Sequence, residues 1–253
     1  MAEAADGATA WRALGEEFDR WASGGLTARL WLRDDDAVEP TPALEQLTGL
    51  TLRFEIPLVL AVIPARSGRD LAQWLAPLAH VHPAVHGWSH QNHAPAGEKR
   101  QELGPHRPRQ AVLEELARGL ERLRGFHGER LIPMLVPPWN RIDAGIVADL
   151  RQLGFTALSL FGREPEAAPI AVVNTHVDLI DSRAGGRRRE ATVLIATLAG
   201  ELARARLGGK QPVGVLSHHL SGDGTALDFL ERLFGVTVGH PACRWQSPAE
   251  LLG

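Results

Sequence analysis

Short apolar runs recur along the chain, and many of them end in a cluster of polar residues. The first reads Ala-Arg-Leu-Trp-Leu-Arg and leads directly into three aspartates, Asp34 to Asp36. Several runs are apolar at nearly every position, which is typical of strands covered on both faces. Runs of this kind occupy residues 28–33, 57–64, 84–88, 130–139, 155–161, 171–180 and 212–220.

Segments with helical spacing alternate with these runs. Trp11, Leu14, Phe18 and Trp21 recur at helical intervals and predict a helix over residues 9–23. Alternation of strands and helices predicts parallel βα units around a sheet or barrel. No repeat, low-complexity block or linker divides the chain, so we expect a single domain over residues 1–253. Further helices are predicted over residues 41–55, 68–79, 108–127, 143–154, 190–207 and 225–234. Thr41 is the expected N-cap of the helix over 41–55, and Asp143 that of the helix over 143–154.

The composition narrows the class of protein. Of 253 residues, 44% are hydrophobic and 23% are charged, which is ordinary for a globular protein and argues against disorder. A net charge of −3 gives no indication of a nucleic-acid or membrane partner. The single Cys243 excludes an intramolecular disulfide. No secretory signal and no long apolar span is visible, so we expect a cytoplasmic protein; the sequence indicates no oligomeric state.

Histidines cluster after the third run, in His-Gly-Trp-Ser-His-Gln-Asn-His. His86 and His90 are four residues apart, and His93 follows three residues later. Two imidazoles at this spacing can reach one metal ion from a single turn or a tight loop. The glutamate of the zinc-protease helix motif is absent. A histidine-rich surface loop is an equally weighted interpretation of this cluster alone.

The aspartates and the last histidine pair supply the other groups that a metal-dependent hydrolase needs. One carboxylate with two histidines leaves a coordination position open for water, and a second carboxylate can accept a proton. A solvated polar turn is the alternative for the aspartates. His218 and His219 point to opposite faces if the strand continues, so at most one is expected to face the site.

The segment Val-Pro-Pro-Trp-Asn-Arg follows the fourth run. Pro138 stiffens the turn, and Trp139 can stack on a sugar ring or pack in the core. Trp88 carries the same two interpretations. The basic segment over residues 183–189 can bind an anionic group, but we favour a solvated loop.

In chain order, "LRDDD", "HGWSH", "VPPW", "HVDLIDS" and "VLSHH" resemble the motifs of NodB-type polysaccharide deacetylases, which are metal-dependent carbohydrate esterases. The resemblance extends over roughly residues 28–220. It implies a distorted (β/α) barrel of about seven parallel strands. It also implies that Asp35, His86 and His90 hold one divalent metal ion, with Zn expected and Co, Ni or Mn as alternatives. Asp34 would be the catalytic base and His218 the catalytic acid.

The implied reaction is removal of an N-acyl or O-acyl acetyl group from a carbohydrate, with metal-bound water as nucleophile.

The chain departs from the family pattern in several places. Val136 stands where the family has an arginine that orients the base, and Arg33 or Arg141 is the candidate substitute. Asp36 replaces a family glycine. Ser182 and Arg183 stand near a family tryptophan, and the polar candidates left in that motif are His176, Asp178 and Asp181. Asp178 or Asp181 could support His218. His93 has no family counterpart and could support the metal ligands or lie on the surface.

Three functions follow from these observations. The leading hypothesis is a metal-dependent deacetylase with a carbohydrate substrate. The second is a cytoplasmic amidohydrolase that cleaves a non-peptide C–N bond of a small amide on the same fold. The third is a carbohydrate-binding or regulatory protein that keeps the fold without the chemistry, as the missing arginine would allow.

Overall fold

The computed structural model describes residues 2–163, 168–181, 187–209, 211–221 and 225–253. A parallel sheet lies at its centre, built on β1 (Ala28–Ala37), which pairs with β2 (Leu58–Val62) on one side and β10 (Val213–Ser217) on the other. Leu30, Trp31 and Leu32 of β1 are completely buried, as the continuous apolar run predicts for a strand covered on both faces.

The remaining strands extend this sheet in both directions. They are β3 (Val81–His86), β4 (Met134–Val136), β5 (Ala157–Leu158), β6 (Ala171–Val172), β7 (Thr175–Asp178) and β11 (Cys243–Trp245). The order is β6-β5-β4-β3-β2-β1-β10-β7, with β11 beside the start of β1, and every pairing is parallel. A parallel bridge between Phe161 and Thr175 joins the segment after β5 to β7, so the sheet curls toward closure. The predicted distorted (β/α) barrel is therefore confirmed. A separate antiparallel pair is formed by β8 (Ile180–Asp181) and β9 (Arg187–Arg188).

Helices flank the sheet. The side chain of Thr41 accepts a hydrogen bond from the backbone N–H of Leu44 at 3.1 Å, and that of Asp143 accepts one from Gly145 at 2.8 Å. Both predicted N-caps are therefore confirmed. The helices are α1 (Ala2–Ser23), α2 (Pro42–Arg53), α3 (Arg69–Leu75), α4 (Arg109–His127), α5 (Ala144–Val147), α6 (Ala191–Leu207), α7 (Thr225–Thr237) and α8 (Pro248–Leu252), with 3₁₀ turns at Gly128–Arg130 and Pro138–Asn140.

Several predicted strands are shorter than expected, among them β5, and two of them have an identifiable cause. The run over 130–139 contributes only β4, because it contains several prolines, which lack the N–H that a strand needs, and its end turns into a 3₁₀ helix. The run over 171–180 is interrupted at Asn174, whose side chain accepts from Leu160 N–H at 2.8 Å and donates to the carbonyl of Gly162 at 3.0 Å. The basic segment over 183–189, with Ser182 and Arg183, lies largely outside the described residues.

Two apolar clusters mark the two faces of the sheet. The large one, with Leu30 and Leu32, lies between the sheet and the helices. The small one lies inside the barrel and contains Trp31, Val59 and Ala84. No helix in the described part of the chain has the length and apolar character that crossing a membrane requires. Cytoplasmic localisation stays a prediction.

Candidate metal centre and catalytic groups

The alternation of side chains along β1 separates the three aspartates. Trp31 belongs to the cluster inside the barrel, so Arg33 and Asp35 follow it on the inner face. Leu32 belongs to the cluster beneath the helices, so Asp34 follows it on the outer face. Asp34 and Asp35 are both buried, at 0% and 3% exposed, but they enter different environments.

A bulge then redirects Asp36. From Asp34 to Ala37 β1 advances three residues, whereas the paired residues of β2, Leu60 and Val62, are two apart. The extra residue breaks the alternation, and Asp36 has a φ of 75°, a left-handed conformation that aspartate tolerates better than most residues. The bulge brings Asp36 to the carboxyl end of β3.

Asp36, His86 and His90 form the group that can hold a metal ion. Oδ1 of Asp36 lies 3.1 Å from Nε2 of His86 and 3.2 Å from Nε2 of His90. All three ligand atoms lie within 4.8 Å of one another. The structure brings the expected histidines together, but the carboxylate beside them is Asp36 instead of Asp35. The physical reason is the bulge, which a strictly alternating strand does not anticipate.

The hydrogen bonding of these side chains fits a cation. Nδ1 of His86 lies 2.9 Å from the carbonyl of Val136, which can only accept, so Nδ1 carries a proton. In the metal-free protein Nε2 also donates, to Asp36, and although burial lowers the pKa of His86, this hydrogen bond and the charge of Asp36 raise it. A bound cation would displace the proton on Nε2 and take its lone pair. Burial lowers the pKa of His90, as does the charge of His86, and this favours the neutral form that binds metal. Burial opposes ionisation of Asp36, but the hydrogen bond and charge of His86 outweigh it and lower the pKa of Asp36.

Asp35 is held by Arg33 inside the barrel. Nη2 of Arg33 donates to Oδ2 of Asp35 at 3.0 Å, and Nε lies 2.9 Å from Oδ1. The guanidinium is completely buried and also donates to Ser159 Oγ and to Asn140 Oδ1, each at 2.6 Å. Of the two candidates for the arginine missing at Val136, Arg33 is thus the one seen in contact with an aspartate of β1. The other candidate, Arg141, donates instead to the carbonyl of Arg100 at 2.8 Å.

Asp34, the expected base, belongs to a separate group on the helix side. Its Oδ2 accepts from Ser217 Oγ at 2.7 Å, and its Oδ1 lies 2.5 Å from Nδ1 of His219. Burial lowers the pKa of His219, but the charge of Asp34 and the hydrogen bond to it outweigh burial and raise that pKa. The geometry thus makes Asp34 a buried partner of His219 and not a member of the Asp36-His86-His90 group.

His218 is directed to Asp178 at the end of β7. Nδ1 of His218 lies 3.8 Å from Oδ1 of Asp178, and its charge reaches Asp36. Burial raises the pKa of Asp178 despite the nearby histidine. His218 and His219, adjacent in sequence, therefore have different aspartate partners, although β10 ends at Ser217 and strand alternation does not direct them.

Three other predicted site residues lie outside these groups. Nδ1 of His176 accepts from the backbone N–H of Gly214 at 3.1 Å. Asp181 lies in β8, beside β9. The backbone N–H of His93 donates to Gln101 O at 3.0 Å, and the histidine does not belong to the metal group.

The two tryptophans differ in their distance from the ligands. The Trp139 ring lies 4.3 Å from that of His90, centroid to centroid, whereas Trp88 packs against the guanidinium of Arg118 at 5.2 Å. Pro138, before Trp139, is buried. Four of the five non-glycine residues with positive φ in the described chain belong to this region: Asp36, His90, Trp139 and Asn140. Backbone strain of this kind gathers at functional sites.

A cavity of about 240 Å³ opens beside the metal group. Its polar lining includes Glu39, Arg66 and His219, and Leu220 contributes an exposed apolar surface. Sequence reasoning assigned no role to Asp36, His219, Asn140 or Ser159. Asp36 and His219 carried a sequence signal, because a third acid followed the two that had been assigned and a second histidine followed His218.

The fold and this arrangement define a class of protein: a parallel (β/α) barrel with an Asp-His-His group at the carboxyl ends of its strands. No protein-family model and no curated protein sequence matches the chain. Solved structures do match. A protein from Mycobacterium smegmatis assigned as a polysaccharide deacetylase superposes with a TM-score of 0.67 at 15% identity, over 90% of each chain.

Two further structures extend the comparison. A family 4 acetyl xylan esterase from Clostridium thermocellum, in complex with a cobalt ion, matches with a TM-score of 0.53 at 11% identity, over 88% of this chain and 89% of the other. A mutant of a CE4 family pseudoenzyme matches with a TM-score of 0.61 at 12% identity, over 90% and 68%. The chain therefore has the fold of these carbohydrate esterases, and the predicted resemblance is confirmed at the level of the fold.

Proposed function

We propose that the chain is a divalent-metal-dependent hydrolase that removes an acetyl group from a carbohydrate. One observation carries the proposal: Asp36, His86 and His90 converge beside a second carboxylate, Asp35, that a buried arginine holds in place. The cobalt ion in the acetyl xylan esterase supports a metal in this fold. We propose zinc as the ion, because two imidazoles and a carboxylate with an open position are typical of catalytic zinc.

A divalent cation held by these three side chains would act as a Lewis acid toward the acyl carbonyl. The chain supplies the proton transfers. Asp35 is the proposed base that accepts a proton from the attacking water, and Arg33 fixes the direction of its oxygens. Asp35 lies within electrostatic reach of both His86 of the metal group and Asp178, the partner of the proposed acid.

His218 is the proposed acid that protonates the departing amine or alkoxide. Asp178 lies at 3.8 Å from its Nδ1 and can orient the ring, leaving Nε2 for the leaving group. The acetyl carbon then bonds to the water oxygen and its bond to the leaving atom breaks. One proton passes to Asp35 and one from His218 to that atom, so the products are acetate and a free amine or hydroxyl.

Acetate release tests this function. Purified protein would be stripped with a chelator, reloaded with Zn²⁺ and incubated with N-acetylglucosamine oligomers and with acetylated xylan. We expect zinc-dependent acetate release that disappears in His90→Ala and persists in His93→Ala, a matched histidine of the same segment. Absence of acetate from both substrates with zinc-loaded protein would contradict the proposal.

A small amide is the second candidate substrate. The cavity beside the ligands, about 240 Å³, lies below the size of roughly 300–1,000 Å³ common for ligand pockets. Release of acetate from a monomeric N-acetyl sugar or opening of a cyclic amide, without activity on oligomers, would favour this candidate over the polysaccharide.

A non-catalytic carbohydrate-binding protein is the third candidate, and the similarity to a CE4 family pseudoenzyme favours it. The contact between Arg33 and Asp35 argues against it, because it replaces the arginine whose absence raised this candidate. Turnover that is abolished by Asp35→Asn would exclude it.

A further inference from the structure

Glu102 is a buried acidic residue that the proposed mechanism does not use. It lies in the segment before α4 and is only 1% exposed. Its neighbour Leu103 accepts a hydrogen bond at its carbonyl from Asp143 N–H at 2.8 Å, so the backbone at this point is tied to the start of α5. A buried carboxylate without a cationic side-chain partner needs another source of hydrogen bonds.

The loop that joins the two histidine ligands provides those bonds. Oε2 of Glu102 accepts from Trp88 N–H at 3.1 Å, and Oε1 accepts from Ser89 N–H at 2.8 Å and Ser89 Oγ at 2.9 Å. The N–H of Gln91 points to the same oxygen at 3.5 Å. The Glu102 carboxylate therefore accepts hydrogen bonds from backbone N–H groups of an irregular turn, which are no longer paired with a neighbouring strand.

The turn is bounded by two residues in the left-handed conformation. Gly87 has a φ of 56° and His90 a φ of 59°. A Cβ at Gly87 would lie 2.1 Å from Oε2 of Glu102 and 2.6 Å from Cδ of Pro138, so no side chain fits there. The chain therefore changes direction twice within four residues, and the Glu102 carboxylate holds this turn by its hydrogen bonds. As a result, the side chain of His90 faces that of His86.

We infer that Glu102 is a positioning residue for the metal centre, fixing the loop so that Nε2 of His90 is directed to Asp36 before a cation binds. This inference rests on the proposed function, because it gives Glu102 a role toward that metal. Glu102 acts through His90 and does not contact the cation. Its charge also lies within electrostatic reach of His90.

A titration with Zn²⁺ alone tests the inference without a substrate. The dissociation constant would be measured by competition with a chromophoric chelator for the wild type, Glu102→Gln and Glu115→Gln. In Glu102→Gln an amide group replaces one acceptor, so Trp88 or Ser89 loses its partner. We expect the affinity to fall by about 10- to 100-fold, the usual loss when a group that orients a ligand is removed. Glu115 is the control, because its carboxylate is bonded to the guanidinium of Arg107 through both oxygens. We expect its replacement to leave the affinity unchanged.

Co²⁺ absorption distinguishes positioning from a general effect on folding. A positioning role predicts a weaker visible band for Glu102→Gln at saturating Co²⁺, because the ligand geometry changes. A merely structural role would lower the free energy of unfolding and leave both the band and the affinity of the folded protein intact, which would overturn the inference.

A second variant keeps the inference testable if Glu102→Gln fails to fold. Ser89→Ala deletes one donor and keeps the carboxylate, and we expect about a three-fold loss of affinity for Zn²⁺. Unchanged affinity in this variant would overturn the inference. If the wild type itself binds no Zn²⁺, the proposed function fails; if the wild type binds tightly and every variant equals it, only the role of Glu102 fails.

Discussion

The two faces of β1 each carry a buried carboxylate at the same end of the strand, and the two carboxylates have different surroundings. On the inner face Asp35 is paired with the Arg33 guanidinium and lies within reach of His86. On the outer face Asp34 is bonded to Ser217 and His219. The two carboxylates are therefore about equally buried. Their partners and the face of the strand distinguish Asp35, the proposed base, from Asp34, the partner of His219.

The comparison also explains why the residues assigned as base and metal ligand differ by one position between the family resemblance and the structure. The family resemblance aligned the base and ligand with Asp34 and Asp35, whereas the geometry favours Asp35 and Asp36. A shift of one residue along a strand exchanges its faces, so roles assigned by counting are sensitive to this error. The first prediction compares the two faces directly.

The largest expected effect is on turnover. Asp35→Asn keeps the shape of the side chain and removes the proton acceptor, so we expect the acetate-release rate to fall by roughly 10²–10⁴-fold. Asp34→Asn changes the outer face alone, and we expect a loss of less than about ten-fold. Steady-state kinetics of zinc-loaded protein measures both. A larger loss in Asp34→Asn than in Asp35→Asn would reverse the assignment of the two faces.

The second effect is on stability. Arg33→Met removes one partner of a buried ion pair and leaves the Asp35 carboxylate without its cation, so we expect a loss of about 3–5 kcal/mol in the free energy of unfolding. Arg53→Met breaks an ion pair with Glu231 whose side chains are 57% and 52% exposed, and its cost should be much smaller. Urea denaturation measures both variants. Equal losses would show that Arg33 is no more important than a surface arginine.

The smallest effect is a pH dependence on the outer face. Burial lowers the pKa of His219, but the charge of Asp34 outweighs it, so the folded state has the higher pKa. A raised pKa means that protonated His219 stabilises the fold fully below the unfolded pKa, about 6.5, and that this contribution is lost as the pH rises through the folded value. The stability difference between wild type and His219→Gln should therefore shrink as the pH rises above about 6.5. A difference that grows over this range would contradict the ion pair.

The sequence predicted what depends on local pattern. Thr41 and Asp143 were recognised as caps because capping needs only a few neighbouring residues, and the spacing of His86 and His90 indicated that both could reach one metal ion. The alternation of apolar runs and helices predicted parallel βα units around a sheet or barrel, and the family resemblance implied the distorted barrel. These features need no knowledge of distant contacts.

The remaining features depend on contacts that are far apart in sequence. Arg33 was one of two candidates for the missing arginine, and only its bonds to Asn140 and Ser159, more than 100 residues away, distinguish it from Arg141. The position of Asp36 depends on a bulge whose register is set by pairing with β2. Neither the bulge nor the long-range bonds leave a periodic signal in the sequence.

Zinc affinity of the two carboxylate variants tests the central claim most directly. The dissociation constant for Zn²⁺ would be measured for the wild type, Asp36→Asn and Asp35→Asn under the same conditions. The account predicts that Asp36→Asn weakens zinc binding by about 100-fold or more, at least as much as the removal of a group that orients a ligand. It predicts that the dissociation constant of Asp35→Asn stays within about three-fold of the wild-type value. Loss of zinc binding in Asp35→Asn, with wild-type affinity in Asp36→Asn, would contradict it.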